Sequence, residues 1–315
     1  MNGNNKKRPF ETFKKNFQRD WQLHLLMILP VVYTAITKYV PMYGLQIAFR
    51  NYRPRKGITG SEWVGLKWFE KFLTSYNFKE IFSNTIIVSM YSMIVHFILA
   101  VTFALLLNTI RNEKFRKFTQ TVTYVPHFIS VVVIVAIFNQ VFSPINGLYG
   151  YFFRLFGGKG YPYDFRGMAD AFRNIYVWTG VWQELGWETI IYTAALSSVS
   201  NDLHEAAMID GASRWKRVLH VDLPTILPTA CTMLILKSGH VMTVGFEKVY
   251  LLQSQLNLQT SEVISTYVYK VGMGASSDFS FGTAIGLFNS VIDCIILITV
   301  NWITKKLSEN EVSLF

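Results

Sequence analysis

Two stretches of this chain, residues 84–108 and 119–142, contain no Asp, Glu, Lys or Arg. A bilayer's hydrocarbon core is about 30 Å thick and a helix climbs about 1.5 Å per residue, so about 20 mainly apolar residues cross it. Both stretches meet that length. Core helices of soluble proteins are shorter and far less free of charge. Four further stretches are as long, each with something polar inside: 21–49 carries Lys38, Pro30 and Pro41, 174–199 carries Glu184 and Glu188, 225–246 holds Lys237, and 281–304 holds Asp293. The expectation is an all-α membrane protein with six transmembrane helices within residues 23–304, a basic tail over 1–22 and a short tail over 305–315. Because the tail before the first run is polar and no small-residue cleavage site follows that run, it is expected to stay as an anchor and not to be removed as a signal peptide.

Composition agrees with this reading: 16% of residues are charged and 51% are hydrophobic, against about 25% charged in soluble domains. The net charge of +10 takes its meaning from where the basic residues sit. Lys6, Lys7, Arg8, Lys14, Lys15 and Arg19 precede the first run, and Arg111, Lys114, Arg116 and Lys117 crowd the loop between the second and third. Short loops rich in Lys and Arg stay in the cytosol, so both termini are expected there, in a multi-pass protein of the bacterial cell (inner) membrane. The loop after the first run, with Arg50, Arg53, Arg55, Lys56, Lys67, Lys71 and Lys79, goes against that rule. The other basic clusters flank membrane spans, where anionic lipid headgroups account for them. Nothing resembles a nucleic-acid module. Cys231 and Cys294 lie inside apolar runs and read as packing residues.

Gly157, Gly158, Lys159 and Gly160 suggest a phosphate-binding loop, but Phe153 stands where the pattern needs glycine and Gly160 where it needs Ser or Thr. His204 and Glu205 begin a zinc-protease pair whose second histidine is replaced by Met208. With no catalytic or metal-binding constellation, no enzyme activity and no cofactor are expected in the chain itself. On these grounds alone an ion-gradient-driven secondary carrier, a channel subunit and a non-transporting scaffold stay open beside an ATP-driven transporter.

Residues 200–224 are the most informative loop. Leu203 to Ile209 reads as a short helix with a carboxylate near its positive end and the small side chains Ala206 and Ala207 on its surface; Gly211 breaks it, and Ala212 to Leu219 can form a second short helix ending before Pro224. A short cytosolic helix with a methyl-sized face is shaped to dock in a groove. Glu205, Ala206, Ala207, Gly211, Leu223 and Pro224 fall at the spacing of the E-A-A loop, and the loop as a whole resembles the signature of permease subunits in binding-protein-dependent ABC importers, with Val221 where the family usually has Ile. The segments over 38–52, 63–69 and 84–89 extend the resemblance to carbohydrate permeases of the maltose-transporter class, most like those for alginate or rhamnogalacturonan oligomers. The resemblance implies a type I importer permease fold and a loop that sits in a cleft of an ATP-hydrolysing subunit, through Glu205, Ala206, Ala207, Asp210, Gly211, Ala212, Leu223 and Pro224. It also implies a second, homologous permease, two ATP-binding subunits that hold ATP and Mg, an extracytoplasmic sugar-binding protein and an oligosaccharide substrate.

Charged residues inside spans cost roughly 2.5 to 3.5 kcal/mol each on insertion scales, so they face a protein interior or a cavity. Gln183, Glu184, Trp187 and Glu188 form one polar arc on the fourth span at helical spacing, and Trp178 and Trp182 lie toward its other side. Lys237 and His240 are three apart on the fifth span; Gly282, Gly286, Asn289 and Asp293 make a narrow stripe on the sixth. Sugar pathways use aromatic faces and hydrogen-bonding groups, so Gln183, Glu184, Trp187, Glu188, Lys237, Asn289 and Asp293 are the candidate pathway residues. The alternative is an intramembrane ion pair of Glu184 or Glu188 with Lys237. His96 and His127 read as packing residues.

Overall fold

The computed structural model of the chain describes residues 19–274 and 277–307. The basic cluster from Lys6 to Lys15 and the carboxyl tail over 308–315 lie outside the described residues. The chain divides after Lys67 into two units.

In the first unit, α1 (Trp21–Phe49) is a continuous helical run, and among its residues only Ala48 is buried. A helix that is apolar on all sides belongs in lipid or in a buried interface. Its path changes where proline forces it to: a widened turn over Ala35–Tyr39 ends two residues before Pro41, followed by a tighter helix over Val40–Phe49. Proline lacks an N–H and its ring clashes with the carbonyl four residues back, and a widened turn relieves both effects. The run leads into a hairpin of β1 (Arg50–Arg53) and β2 (Gly57–Trp63), paired antiparallel with Arg50 opposite Trp63 and a bulge between Asn51 and Arg53. The Ser61 hydroxyl donates to the Gly57 carbonyl at 2.6 Å and accepts from the Arg53 amide at 3.0 Å, while the Trp63 ring stacks on Phe49. This hairpin is a departure from the all-helical expectation. The segment reads as a basic loop because local side-chain bonds, and not an alternating apolar pattern, hold it.

The second unit is helical among its described residues: α2 (Lys67–Leu73), α3 (Phe78–Thr109), α4 (Glu113–Tyr124), α5 (Val131–Val141), α6 (Leu148–Leu155), α7 (Ala169–Leu196), α8 (Asn201–Ile209), α9 (Arg214–Arg217), α10 (Leu223–Ser238), α11 (Phe246–Leu252), α12 (Leu258–Ser261), α13 (Ile264–Met273) and α14 (Phe279–Leu307). Helices α3 and α7 pack side by side at the centre. Ala100 and Ala104 of α3 meet Tyr192 and Leu196 of α7 and Ile226 and Ala230 of α10, small against large, which lets helix backbones approach closely. At the other end Val88, Val135, Phe138, Phe172, Ile175, Val249 and Leu252 join α3, α5, α7 and α11. The glycine-rich string after α6 is a turn, with Gly157 and Gly160 at φ 88 and 78.

Trp21–Phe49, Phe78–Thr109, Arg214–Ser238 and Phe279–Lys306 are long and apolar enough to cross a membrane. The expected single helix over 119–142 is instead two, bent by 102°. Pro126 sits in a tight turn after α4, and the Ser130 hydroxyl caps α5 by accepting from the Val133 amide, so the chain stops one helix and starts another. Counted as one crossing, the pair makes a fifth span. Helix α7 has 28 residues but carries Glu184 and Glu188 and is less apolar than α1, α3, α10 and α14. The expected span over 225–246 is displaced toward the amino end: α9 runs through a widened turn at Val218–Asp222 directly into α10, and the helix stops at Ser238. Pro224 therefore does not end a helix as expected. The widened turn finishes two residues before it, the device already seen at Pro41.

Candidate functional site

Residues 200–224 fold as two short helices hung from the ends of α7 and α10. The Ser200 hydroxyl caps α8 and the Ser213 hydroxyl caps α9, accepting from the Asp202 and Lys216 amides. Between them Gly211 has φ 77; its amide donates to the Met208 carbonyl and the Ala212 amide to that of Ala207. That is a helix end closed by a left-handed residue, where any side chain adds strain. Beneath the loop the Asp222 carboxylate takes His204 Nε2 at 3.2 Å and the Asn108 amide at 3.4 Å, tying α8 to the base of α10 and the end of α3. A cleft of 430 Å³ opens there, lined by Asn201, His204, Glu205, Met208, Arg214 and Arg217, among others.

Glu205, Ala206, Asp210, Gly211 and Pro224 are exposed, and Ala207, Ala212 and Leu223 are half-buried. Beside them stand apolar side chains that the motif does not mark: Leu203, Met208, Ile209 at 87% exposure and Trp215 at 64%. Large apolar groups displayed this way on a polar loop mark a protein interface. Ile209 and Trp215 are missed by motif reading because only the fold shows that the chain leaves them uncovered.

The second region lies inside the helix bundle. Glu188 on α7 accepts from Lys237 Nζ at 2.7 Å and meets His96 Nδ1 of α3 at 3.2 Å. One turn earlier Glu184 meets His127 Nδ1 at 2.6 Å, and the His127 ring stacks flat on Trp187 with centroids 4.2 Å apart. Both histidines, read from sequence as packing residues, are hydrogen-bond partners of the carboxylates. A histidine in an otherwise charge-free span, opposite a span with two glutamates, is the signal that could have found them. A polar cavity of 250 Å³ is lined by Ser89, Ser92, His96, Tyr176, Glu188, Lys237, His240 and Thr243, among others.

The remaining candidates are placed differently. Gln183 is buried, and its amide donates to the Ile129 carbonyl at the break between α4 and α5. Gly186 allows the same approach, since a Cβ there would lie 2.2 Å from the Thr123 carbonyl oxygen. Asp293 accepts from the Met242 amide at 2.7 Å and the Thr243 hydroxyl at 3.2 Å, and Asn289 donates to the Met242 carbonyl. Those two residues of α14 thus hold the non-helical turn over 239–245 that follows α10, and that turn lines the cavity. Trp178 and Trp182 face away from the cavity, into an apolar groove of 610 Å³ with Phe138 and Phe142 of the α5 region.

Residues 96–309 match the family described as "Binding-protein-dependent transport system inner membrane component". The polygalacturonan/rhamnogalacturonan transport system permease protein YteP of Bacillus subtilis (strain 168) is 39% identical over 91% of this chain and 89% of its own. Protein LplB of the same organism is 37% identical over 93% and 91%. Among solved structures, a chain of a bacterial alginate ABC transporter, crystallised in complex with alginate pentasaccharide-bound periplasmic protein, superimposes with a TM-score of 0.85 at 31% identity, over 95% of this chain and 99% of that one. A second structure, of an importer of the acidic polysaccharide alginate, gives 0.83 at 33% identity.

Proposed function

Because the chain belongs to the inner membrane components of binding-protein-dependent transport systems, we propose that it forms half of a heterodimeric pore through which an ATP-driven importer takes up oligosaccharides. It is a multi-pass membrane protein with the type I permease fold, and its function is that of a permease subunit of a sugar importer. The carrying observation is the exposed E-A-A loop, built on a fold that matches an alginate importer over nearly its whole length.

In this reading α8 and α9 enter a cleft of an ATPase subunit. Glu205 meets a basic residue there, Ala206 and Ala207 allow close approach, and Leu203, Met208, Ile209 and Trp215 supply the apolar contact. Two copies of the ATPase bind ATP and Mg; this chain contributes no catalytic group. Hydrolysis moves α8 as a rigid piece, and because Asp222 joins α8 to the foot of α10, the push passes into α10 and the turn beyond it. A bistable bundle then switches access from outside to inside. Glu188, Lys237 and the wall around them line the pathway with Glu184 and Trp187 adjacent, while Gln183, Asn289 and Asp293 act one step removed by fixing the backbone on either side. Six crossings, with both termini and residues 200–224 in the cytosol, are the topology that the distribution of Lys and Arg supports. A binding protein delivers the sugar from outside.

The test is assembly. Gly211→Asp, which forces a side chain into the left-handed position, and Glu205→Lys should each abolish co-purification of the ATPase while leaving membrane insertion normal. Normal co-purification with both variants would refute the docking role.

A further inference from the structure

Helix α6 turns its apolar stripe away from the rest of the chain. Leu148, Tyr151, Phe152 and Leu155 fall at the i, i+3, i+4, i+7 spacing of one helix face, and with Phe156, which follows the helix, they are between 47% and 83% exposed. The opposite side is the packed one: Gly150 is buried, Tyr149 is half-buried, and the Gly158 turn folds over the Phe153 ring. The one charge of the helix is also turned back, since the Arg154 guanidinium donates to the Pro144 and Ile145 carbonyls at 3.4 and 3.3 Å. On a loop surrounded by water such a stripe faces the core. Left outside, a patch of this kind marks a surface that meets protein or membrane.

Two features select the membrane. The first is position. Helix α5 ends at Val141, and the chain folds back so closely that a Cβ on Gly147 would strike the Gln140 and Val141 carbonyls and one on Gly150 that of Pro144. Beyond the glycine-rich turn, Arg166 donates to the Asn139 carbonyl at 2.9 Å. Tied at both ends to the last turn of α5, the segment stays at the level where that helix leaves the hydrocarbon. The second feature is composition. Between Val141 and Asp164 there is no Asp or Glu, Arg154 and Lys159 are the only charges, and Tyr161 and Tyr163 are 67% and 71% exposed. Tyrosine gathers at bilayer interfaces, where its ring is in apolar surroundings and its hydroxyl is wet, and helices that lie in that layer pair an apolar face with basic residues. We propose that residues 145–163 form a membrane-surface anchor: α6 lies in the interfacial layer of the bilayer, with Leu148, Phe152, Leu155 and Phe156 toward the acyl chains. The occupant of the exposed face is lipid, and the segment is not a free aqueous loop.

The test uses the complete complex, with its ATPase and binding protein, in proteoliposomes, with Cys231 and Cys294 replaced by Ser. Leu148→Cys, Phe152→Cys and Phe156→Cys each carry a nitroxide. Its collisions with oxygen, which concentrates in the bilayer, are compared with its collisions with a water-soluble nickel chelate. Tyr76→Cys, where the native residue is 97% exposed, is the aqueous reference. Labels on the α6 face should favour oxygen and report a depth of about 5–10 Å into the boundary between headgroups and acyl chains, while the label at 76 favours nickel. A preference for nickel on the α6 face overturns the anchor in favour of water, and weak collision with both reagents overturns it in favour of a protein covering. A second measurement keeps the native sequence. A phospholipid with a photoreactive group near its glycerol backbone should label the peptide containing residues 148–156; labelling of α3 or α14 with none on that peptide overturns the proposal.

Discussion

Glu188 has partners on two other helices, Lys237 of α10 and His96 of α3, so removing one partner strands a charge and does not merely delete a contact. Breaking a buried pair from one side costs about 3–5 kcal/mol, whereas replacing both members can be nearly neutral. Lys237→Met should therefore lower the thermal unfolding midpoint of the detergent-solubilised complex sharply, and adding Glu188→Gln to it should restore part of the loss. A double variant less stable than Lys237→Met would show that the pair is not coupled. Alone, Glu188→Gln keeps the side chain's shape and should impair uptake with ATPase assembly intact; unchanged uptake would remove Glu188 from the pathway.

At the scale of elements, the break between α4 and α5 is held from α7, where Gln183 satisfies the Ile129 carbonyl that the ended helix leaves open and Glu184 and Trp187 meet His127. Gln183→Leu should destabilise the protein by about 1–3 kcal/mol through that unsatisfied group, seen as a lower unfolding midpoint; no shift would mean that another donor serves the break. The break also shows where sequence reading stops. Bilayer thickness fixes the length of a charge-free run, so most of the crossings were legible, and the spacing of Glu205, Gly211 and Pro224 marked the loop. A proline at 126 is compatible with a kink or a full stop, and the Ser130 cap together with the Gln183 contact from a helix more than fifty residues away favours the stop. The same holds for His96 with Glu188 and His127 with Glu184: residue types show that partners are needed, but the packing of α3 against α7 chooses them. The hairpin over Arg50–Trp63 was hidden because its order comes from Ser61 and the Trp63–Phe49 stack, not from an alternating pattern.

For the whole molecule the orientation is open to direct measurement. With Cys231 and Cys294 replaced by Ser, Ile209→Cys should react with a membrane-impermeant thiol reagent only from the cytosolic side, and Tyr76→Cys, 97% exposed in the native residue, only from outside; the reverse pattern would invert the topology. In the proposed reading, the joined path from α8 through Asp222 to α10 carries a partner's ATP-driven push from one loop into the bundle. The most direct measurement is sugar uptake by the reconstituted complex in proteoliposomes, with binding protein present and either ATP or a proton gradient as the sole energy source. Uptake should occur with ATP, need no gradient and vanish in Gly211→Asp; uptake on the gradient without ATP, or full uptake in Gly211→Asp, would contradict it.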